Sequence, residues 1–174
     1  MAKAVVSTIG PDRPGLVSDI TAIAARLSLN IEDSRMAVLG GEFAVLMALE
    51  GEQAALQDFD AALAKLCEQN QLAYLVRPTA TRSLSTTLRP YTATVVALDH
   101  PGIVHSIAQF FSSRGINICD FRTDTSPAAH TGTPIFNVCL TIELAGTVRI
   151  HALKEAFDAF CASADLDGHL EASR

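Results

Sequence analysis

The sequence predicts an α+β protein of two tandem βαββαβ domains, each with an antiparallel sheet and its helices on one face of that sheet. Three observations support this prediction. An internal repeat runs through most of the chain, apolar residues recur with strand and helix periods, and turns rich in glycine and proline separate the periodic segments. Hydrophobic residues make up 49% of the 174 positions, which is enough for packed cores.

The repeat emerges when the sequence is shifted against itself by 87 positions. Segment 12–17, DRPGLV, then aligns with segment 99–104, DHPGIV, and the register continues without a gap until Arg35 aligns with Arg122. Further along, segment 43–45 matches segment 136–138 at an offset of 93, and Leu66-Cys67 matches Phe160-Cys161 at an offset of 94. The chain is therefore a duplication, with extra residues in one hairpin of the second copy.

Each copy has the pattern of strand, helix, strand, strand, helix, strand. In the first copy, strands are predicted at 3–9, 30–39, 42–50 and 72–76, with Gly40-Gly41 as a hairpin turn. The helices are identified by apolar residues that recur on one face. These stripes are Leu16, Ile20, Ile23, Ala24 and Leu27, then Leu56, Phe59, Leu63 and Leu66, and in the second copy Ile103, Ile107, Phe110 and Phe111, then Ile150, Leu153, Phe157 and Phe160.

The order of these elements is that of the ferredoxin-like fold. The second copy closes with a strand at about 166–170. Between the copies, the segment 78–90 is rich in Ser and Thr, contains Arg82 and Arg89 and has no acidic residue. We therefore expect a first domain over residues 1–78, a linker over 79–90 and a second domain over 91–174.

Composition excludes several classes of function. The formal net charge of −6 offers no general attraction to nucleic acid. The four cysteines form no Cys-x-x-Cys pair, the N-terminus lacks a signal-peptide pattern, and no apolar run is long enough to span a membrane. No nucleophile elbow, Walker or dinucleotide glycine motif occurs. We expect a reduced cytoplasmic protein that is not an enzyme and binds no metal or cofactor.

The turn before the first helix of each copy has the chemistry to bind an amino acid. Backbone N–H groups at Gly15 and Leu16 could hold a carboxylate, because they lie at a helix N-terminus. Asp12 could accept hydrogen bonds from an α-ammonium group, and Asn30, at the start of the next strand, offers both donor and acceptor. The corresponding residues of the second copy are Asp99, Gly102, Ile103 and Asn117.

A purely structural interpretation of the same residues remains open. An aspartate before Pro-Gly commonly caps a helix, and an asparagine often ends one in the left-handed conformation. The duplication does not decide between the two interpretations, because a capping device would be duplicated as well.

The same residues resemble the ACT domain. Segment 10–17, GPDRPGLV, followed by Leu29-Asn30-Ile31 resembles one such domain, and segment 99–104 with Ile116-Asn117-Ile118 resembles a second. The resemblance covers nearly the whole chain and implies the ferredoxin-like fold and amino-acid binding at domain interfaces, through the first turn and the start of the second strand. The implied ligand-binding residues are Asp12, Arg13, Pro14, Gly15, Leu16, Asn30 and Ile31, with Asp99, His100, Pro101, Gly102, Ile103, Asn117 and Ile118 in the second copy.

A pair of ACT domains of this length is similar to the glycine cleavage system transcriptional repressor family. That similarity implies a regulator with glycine as the signal, which contacts a DNA-bound activator protein and does not bind DNA itself. A regulatory subunit of an amino-acid biosynthetic enzyme is the alternative. The second copy has His100 in place of Arg13, and segment 8–11, TIGP, has become VVAL at 95–98, so the two sites need not be equivalent. We expect the first copy, with its fuller turn, to bind the ligand.

The strand that begins at Phe43 predicts a covered sheet. Both alternating sets of its side chains are apolar, whereas the matching strand of the second copy alternates apolar with more polar residues. A half-exposed antiparallel strand normally shows the second pattern. We therefore expect the first sheet to be covered by the other domain or by a second chain, and the protein to form a homodimer.

Overall fold

The computed structural model describes residues 1–80, 88–128 and 132–173. The chain divides into two compact units, Met1–Ser83 and Leu84–Arg174. We call them unit 1 and unit 2. Arg82 and His130, which the sequence places in the linker and in the longer hairpin, lie outside the described residues.

The two units have the same order of elements. Unit 1 consists of β1 (Ala2–Pro11), α1 (Leu16–Arg26), β2 (Asn30–Leu39), β3 (Glu42–Gly51), α2 (Gln53–Gln69) and β4 (Ala73–Thr79). Unit 2 consists of β5 (Leu88–Leu98), α3 (Ile103–Ser112), β6 (Asn117–Pro127), β7 (Pro134–Ala145), α4 (Ile150–Ser163) and β8 (Asp167–Ala172). The predicted βαββαβ fold is confirmed in both copies.

Each unit has one four-stranded sheet in which every neighbouring pair is antiparallel. The strand order is β2-β3-β1-β4 in unit 1 and β6-β7-β5-β8 in unit 2. Because β1 and β2 both pair antiparallel with β3, they run parallel to each other. The turn that follows β1 therefore lies at the end of the sheet where β2 finishes and not where it starts.

The helices cover one face of each sheet, as their apolar stripes predict. Leu16, Ile20, Ile23 and Ala24 of α1 are buried, and so are Ile103, Ile107, Phe110 and Phe111 of α3. Leu63 and Phe157 are fully buried at equivalent positions of α2 and α4. Cys67 and Cys161 are buried beside them, and burial raises the pKa of the Cys161 thiol to about 11. Both are therefore core residues.

The strands extend further towards the expected linker than the sequence suggests. Thr79 is the last residue of β4, and Leu88–Pro90 pair with Glu143–Ala145 as the first residues of β5. Proline, serine and threonine in this segment favoured a linker, but Pro90 still uses its carbonyl, which accepts a hydrogen bond of 3.1 Å from the Ser173 N–H. Contacts between segments that are distant in the sequence leave no trace in the local sequence pattern.

Candidate functional site

In the β1–α1 turn of unit 1, no side chain of the described residues caps the first amides of α1. Gly15 is the N-cap residue, with a φ of 93°, and its carbonyl accepts a 2.8 Å hydrogen bond from the Asp19 N–H. A left-handed conformation of this kind is tolerated by glycine at no steric cost. Because this side-chain cap is lacking, the N–H groups of Leu16, Val17 and Ser18 remain available to an anion.

Unit 2 repeats this backbone geometry closely. Gly102 is the N-cap residue of α3, with a φ of 103°, and its carbonyl accepts a 2.9 Å hydrogen bond from the Ser106 N–H. Again no side chain caps the helix. The two predicted turns are thus alike in their backbone, and each presents uncapped amides.

The two aspartates before these turns do not cap the helices. Asp12 and Asp99 are both exposed, and neither carboxylate accepts a hydrogen bond from any residue that the structure describes. The backbone N–H of Asp12 instead approaches the carbonyl of Gly41 in the β2–β3 hairpin at 3.4 Å. The capping interpretation is therefore wrong for both residues, and both carboxylates remain free to accept from a ligand.

An open surface cavity of about 660 Å³ borders the first turn. Its lining includes the buried Phe43 of β3 and the half-exposed Thr21 of α1. The remaining lining residues are Asp12, Arg13, Pro14, Gly15, Leu16, Val17 and Ser18. Five of the predicted ligand residues of the first copy thus surround one depression.

Arg13 holds the first turn to two other parts of unit 1. Its Nε donates a 2.7 Å hydrogen bond to Asn70 Oδ1 at the end of α2, and its Nη2 lies 2.7 Å from Asp19 Oδ2 in α1. Its Nη1 donates to the carbonyl of Pro14 at 3.0 Å. Asn70 is fixed in turn, because its Nδ2 donates to the Leu66 carbonyl at 2.8 Å. We call Arg13, Asp19 and Asn70 the arginine clamp.

Unit 2 lacks the arginine clamp. His100 replaces Arg13, and its Nδ1 lies 3.0 Å from the carbonyl of Pro101, which matches the contact between Arg13 and Pro14. The residues that correspond to Asp19 and Asn70 are Ser106 and Ala164. Ser106 donates to the carbonyl of Ile103 at 2.9 Å, and alanine has no polar group to offer. Sequence reasoning grouped Arg13 with the ligand residues, and in the structure its guanidinium contacts Asn70, Asp19 and the Pro14 carbonyl.

Asn30 and Ile31 lie at the opposite end of unit 1 from the turn. Asn30 pairs with Glu50, which pairs with Lys3, and Asp12 lies nine residues after Lys3, just beyond the end of β1. At about 3.3 Å per residue this separation is roughly 30 Å. The expectation that one small site within a copy combines both segments is therefore wrong, because β1 and β2 run parallel. Nor does Asn30 end the helix in the left-handed conformation, which Ser28 adopts with a φ of 56°.

Asn117 and Ile118 are separated from the second turn in the same way. Asn117 pairs with Glu143, which pairs with Pro90, and Asp99 lies nine residues further along β5 and beyond it. The side-chain Nδ2 of Asn117 lies 3.7 Å from the sulfur of Cys119. Ile118 is half-buried against the core of unit 2, as Ile31 is against the core of unit 1.

Sequence reasoning missed Asp19 and Asn70. Asn70 is 57 residues from Arg13, so no local pattern connects them. The internal repeat carries the signal that could have found them, since all three clamp positions change between the copies, to His100, Ser106 and Ala164.

Within residues 1–80, 88–128 and 132–173, no group of three or more His, Cys, Asp or Glu side chains could hold a metal ion. No helix in the same residues is long and apolar enough to cross a membrane.

The comparisons with known proteins agree with this fold. The family model of the ACT domain matches residues 3–77. The glycine cleavage system transcriptional repressor of Escherichia coli K12 is 26% identical over 166 residues, which cover 95% of this chain and 87% of that protein. A UPF0237 protein of Methanopyrus kandleri is 40% identical over 73 residues, which cover 42% of this chain and 76% of that protein.

Two solved structures superpose over nearly the whole chain. An unknown protein from Galdieria sulphuraria has a TM-score of 0.79 at 25% identity, with 99% of each chain covered. A candidate glycine cleavage system transcriptional repressor has a TM-score of 0.74 at 24% identity, with 99% of this chain and 98% of that chain covered, and it supports the fold alone. The chain therefore has an ACT domain in unit 1, belongs to the family of the UPF0237 protein that this unit matches, and resembles the glycine cleavage system transcriptional repressors over nearly its whole length.

Proposed function

We propose that this protein is an amino-acid-sensing repressor of glycine cleavage genes that acts through a protein partner. The observation that carries the proposal is the match to glycine cleavage system transcriptional repressors over 95% of the chain. The match spans both units, so it concerns the tandem arrangement and not a single ACT domain. A regulatory subunit of an amino-acid biosynthetic enzyme is the alternative, which this match does not favour.

The first turn supplies the chemistry that a small amino acid needs. The amides of Leu16, Val17 and Ser18 would bind the carboxylate, where the helix dipole adds a favourable field. The exposed carboxylate of Asp12 would accept hydrogen bonds from the α-ammonium group. Gly15 leaves the backbone open to close approach. Glycine is favoured because the relative matched over 95% of the chain is a glycine cleavage system transcriptional repressor.

The arginine clamp supports the choice of unit 1 over unit 2. A turn that is already held in place loses less conformational entropy when a ligand binds. Arg13 provides this by joining the turn to α1 and to the end of α2. Arg13 acts on the ligand through the turn and is a positioning residue in this proposal.

The proposed partner is a DNA-bound activator protein. The net charge of −6 disfavours direct contact with DNA, so repression would act through protein contact. We further propose that the protein works in the cytoplasm, assembles with a second copy and has no catalytic turnover of its own. Asn30, Ile31, Asn117 and Ile118 are left out of the proposed single-unit sites.

Ligand binding is tested by the thermal stability of the full chain with each common amino acid. A ligand at about 100 times its dissociation constant stabilises the folded state by about 2.7 kcal/mol. For a chain of this size we expect the melting temperature to rise by roughly 5 to 10 °C. Asp12→Ala should reduce the rise, and Asp99→Ala is the matched control in unit 2. A screen in which no amino acid raises the melting temperature would leave only a protein-docking function.

Partner dependence is tested by gel shift with promoter DNA of glycine cleavage genes. The protein alone should give no specific retention at physiological salt. The protein should change the migration of the promoter DNA only when the activator protein is present. Adding glycine should alter the size of this change. Specific nanomolar binding by the protein alone would contradict the adaptor role.

A further inference from the structure

The sheet of unit 1 has an apolar face that no helix covers. We call this side the open face. It consists of the residues that alternate with the buried ones along β4, β1, β3 and β2. Leu46 is 49% exposed there, Ile9 is 51% exposed and Leu75 is 54% exposed. The apolar centre of the open face is Val5, Ile9, Ala44, Leu46, Ala48 and Leu75.

The register also places charges of opposite sign on the two sides of this apolar centre. One row across the sheet runs Arg77, Val5, Ala48 and Asp33, from β4 to β2. In a neighbouring row, Lys3 of β1 lies beside Glu50 of β3. In both rows the cation lies towards β4 and the anion towards β2. Arg77 forms no ion pair with any residue in the described part of the chain, whereas Asp33 pairs with Arg35 and Lys3 pairs with Glu32 within unit 1.

We propose that the open face binds the open face of a second copy of this chain, about a two-fold axis parallel to the strands. Such an axis lays β4 over β2 of the second copy and β1 over its β3, while it keeps the rows in line. Arg77 then faces Asp33 of the second copy, and Lys3 faces its Glu50. Each contact occurs twice, and Val5 and Ile9 pack on apolar side chains.

The charges favour this axis over a two-fold axis perpendicular to the strands, which is the other arrangement that keeps the strands of the two sheets aligned. A two-fold axis perpendicular to the strands would lay each strand over its own counterpart, in reversed direction. Arg35 would then face Arg35 of the second copy, and Glu50 would face its Glu42. Like charges placed opposite each other on stacked sheets are unfavourable.

The size of the open face fits a dimer interface. Four strands about 4.8 Å apart and nine residues long at about 3.3 Å each cover roughly 600 Å² per copy, or roughly 1,200 Å² in total. That area reaches the lower end of specific interfaces, which bury about 1,200 to 2,000 Å². Covering the apolar centre would remove it from water and supply the driving force.

The same face of unit 2 is more polar, although Val96 and Leu98 are exposed on it. At the positions of Val5 and Ala48 it has Thr92 and Thr141. At the position of Leu46 it has the exposed Cys139. These polar residues suit contact with water, so the dimer surface belongs to unit 1. This inference concerns assembly and does not depend on whether the turns bind an amino acid.

Sedimentation equilibrium of the full chain tests the surface. The wild type should have twice the chain mass of 18.5 kDa. Leu46→Lys should raise the dimer dissociation constant by roughly 100-fold, about tenfold for each of the two copies. Cys139→Lys, the matched control in unit 2, should leave it unchanged. Leu46 is half exposed, so the variant should keep the wild-type melting curve at concentrations where both are monomers. A monomeric wild type, or a dimer that Leu46→Lys leaves intact, would overturn the proposal.

Charge reversal tests the axis. Arg77→Glu and Asp33→Lys should each weaken the dimer about tenfold, since each loses the same contact twice. The double variant restores opposite charges across the axis and should recover most of the wild-type affinity. A double variant that associates no better than the single variants would overturn the proposed pairing.

Discussion

Unit 1 and unit 2 share a turn in their backbone but differ in what holds it. Both turns have a left-handed glycine at the N-cap and uncapped amides beyond it. Only the turn of unit 1 has the arginine clamp, which joins it to α1 and α2. The fold therefore supplies a turn with uncapped amides in both units, while side chains far apart in sequence decide how firmly the turn is held.

The two units can be followed separately in unfolding experiments. The chain has two tyrosines and no tryptophan, and Tyr74 lies in unit 1 while Tyr91 lies in unit 2. A Tyr→Phe change at one position leaves the other tyrosine as the fluorescent reporter of its own unit. Each variant is therefore measured in the Tyr→Phe background that keeps the tyrosine of its own unit.

The largest effect is expected at Gly168 of β8, a position at which the two units have different residues. A Cβ added there would lie 3.1 Å from the Phe157 ring and closer still to the Cys161 sulfur. The same position in unit 1 carries Tyr74. Gly168→Ala should lower the free energy of unfolding of unit 2 by roughly 2 to 3 kcal/mol through overpacking, as measured by urea unfolding. The double variant with Cys161→Ala should lose less than the sum of the two single changes. Strict additivity would contradict the close approach.

Arg13→His converts the clamped turn into the kind found in unit 2. We expect the free energy of unfolding of unit 1 to fall by about 1 to 1.5 kcal/mol, mostly through the lost hydrogen bond to Asn70, since the half-exposed pair with Asp19 is screened by solvent. Hydrogen exchange at the amides of α1 should also become faster. His100→Ala is the control, because it removes one contact only and should change unit 2 less. Equal losses in the two units would mean that the clamp does not hold the turn.

Thr8→Val should stabilise unit 1. Thr8 is 3% exposed, and its hydroxyl has no hydrogen-bond partner among the described residues. Unit 2 has Val95 at the same position. Removing a buried, unpaired hydroxyl should raise the free energy of unfolding by about 1 kcal/mol. The reverse change, Val95→Thr, should lower that of unit 2. A loss of stability in Thr8→Val would show that the hydroxyl is satisfied in solution.

The smallest effect is expected after the first helix of each unit. Ser28 has a φ of 56°, and unit 2 has Gly115 there, with a φ of 67°. Ser28→Gly should raise the free energy of unfolding of unit 1 by about 0.5 kcal/mol, because relief of the left-handed strain exceeds the added chain entropy. Gly115→Ser should have the opposite sign in unit 2. Chemical denaturation of both variants measures the two free energies of unfolding. Changes of the same sign in Ser28→Gly and Gly115→Ser would contradict the prediction.

The sequence predicts the fold well because the fold depends on local periodicity and on the repeat. Segment 30–39 was predicted as a strand, and β2 spans Asn30–Leu39. The turn residues of both copies were also identified. The grouping of Asn30 with Asp12 failed, because the parallel course of β1 and β2 is set by pairing through β3 and not by nearby residues. Asn70 was missed for a similar reason, since its contact with Arg13 spans the whole unit.

A site-resolved titration tests the central claim, that the first turn binds the carboxylate of a small amino acid. Glycine would be added to the ¹⁵N-labelled protein while the backbone amide signals are followed by NMR. The account predicts saturable shifts at Leu16, Val17 and Ser18, with smaller changes at Ile103 and Val104 of unit 2. Asp12→Ala should weaken the response without abolishing the fold. Saturation with glycine and every other small amino acid that leaves the amides of both turns unmoved would contradict the claim.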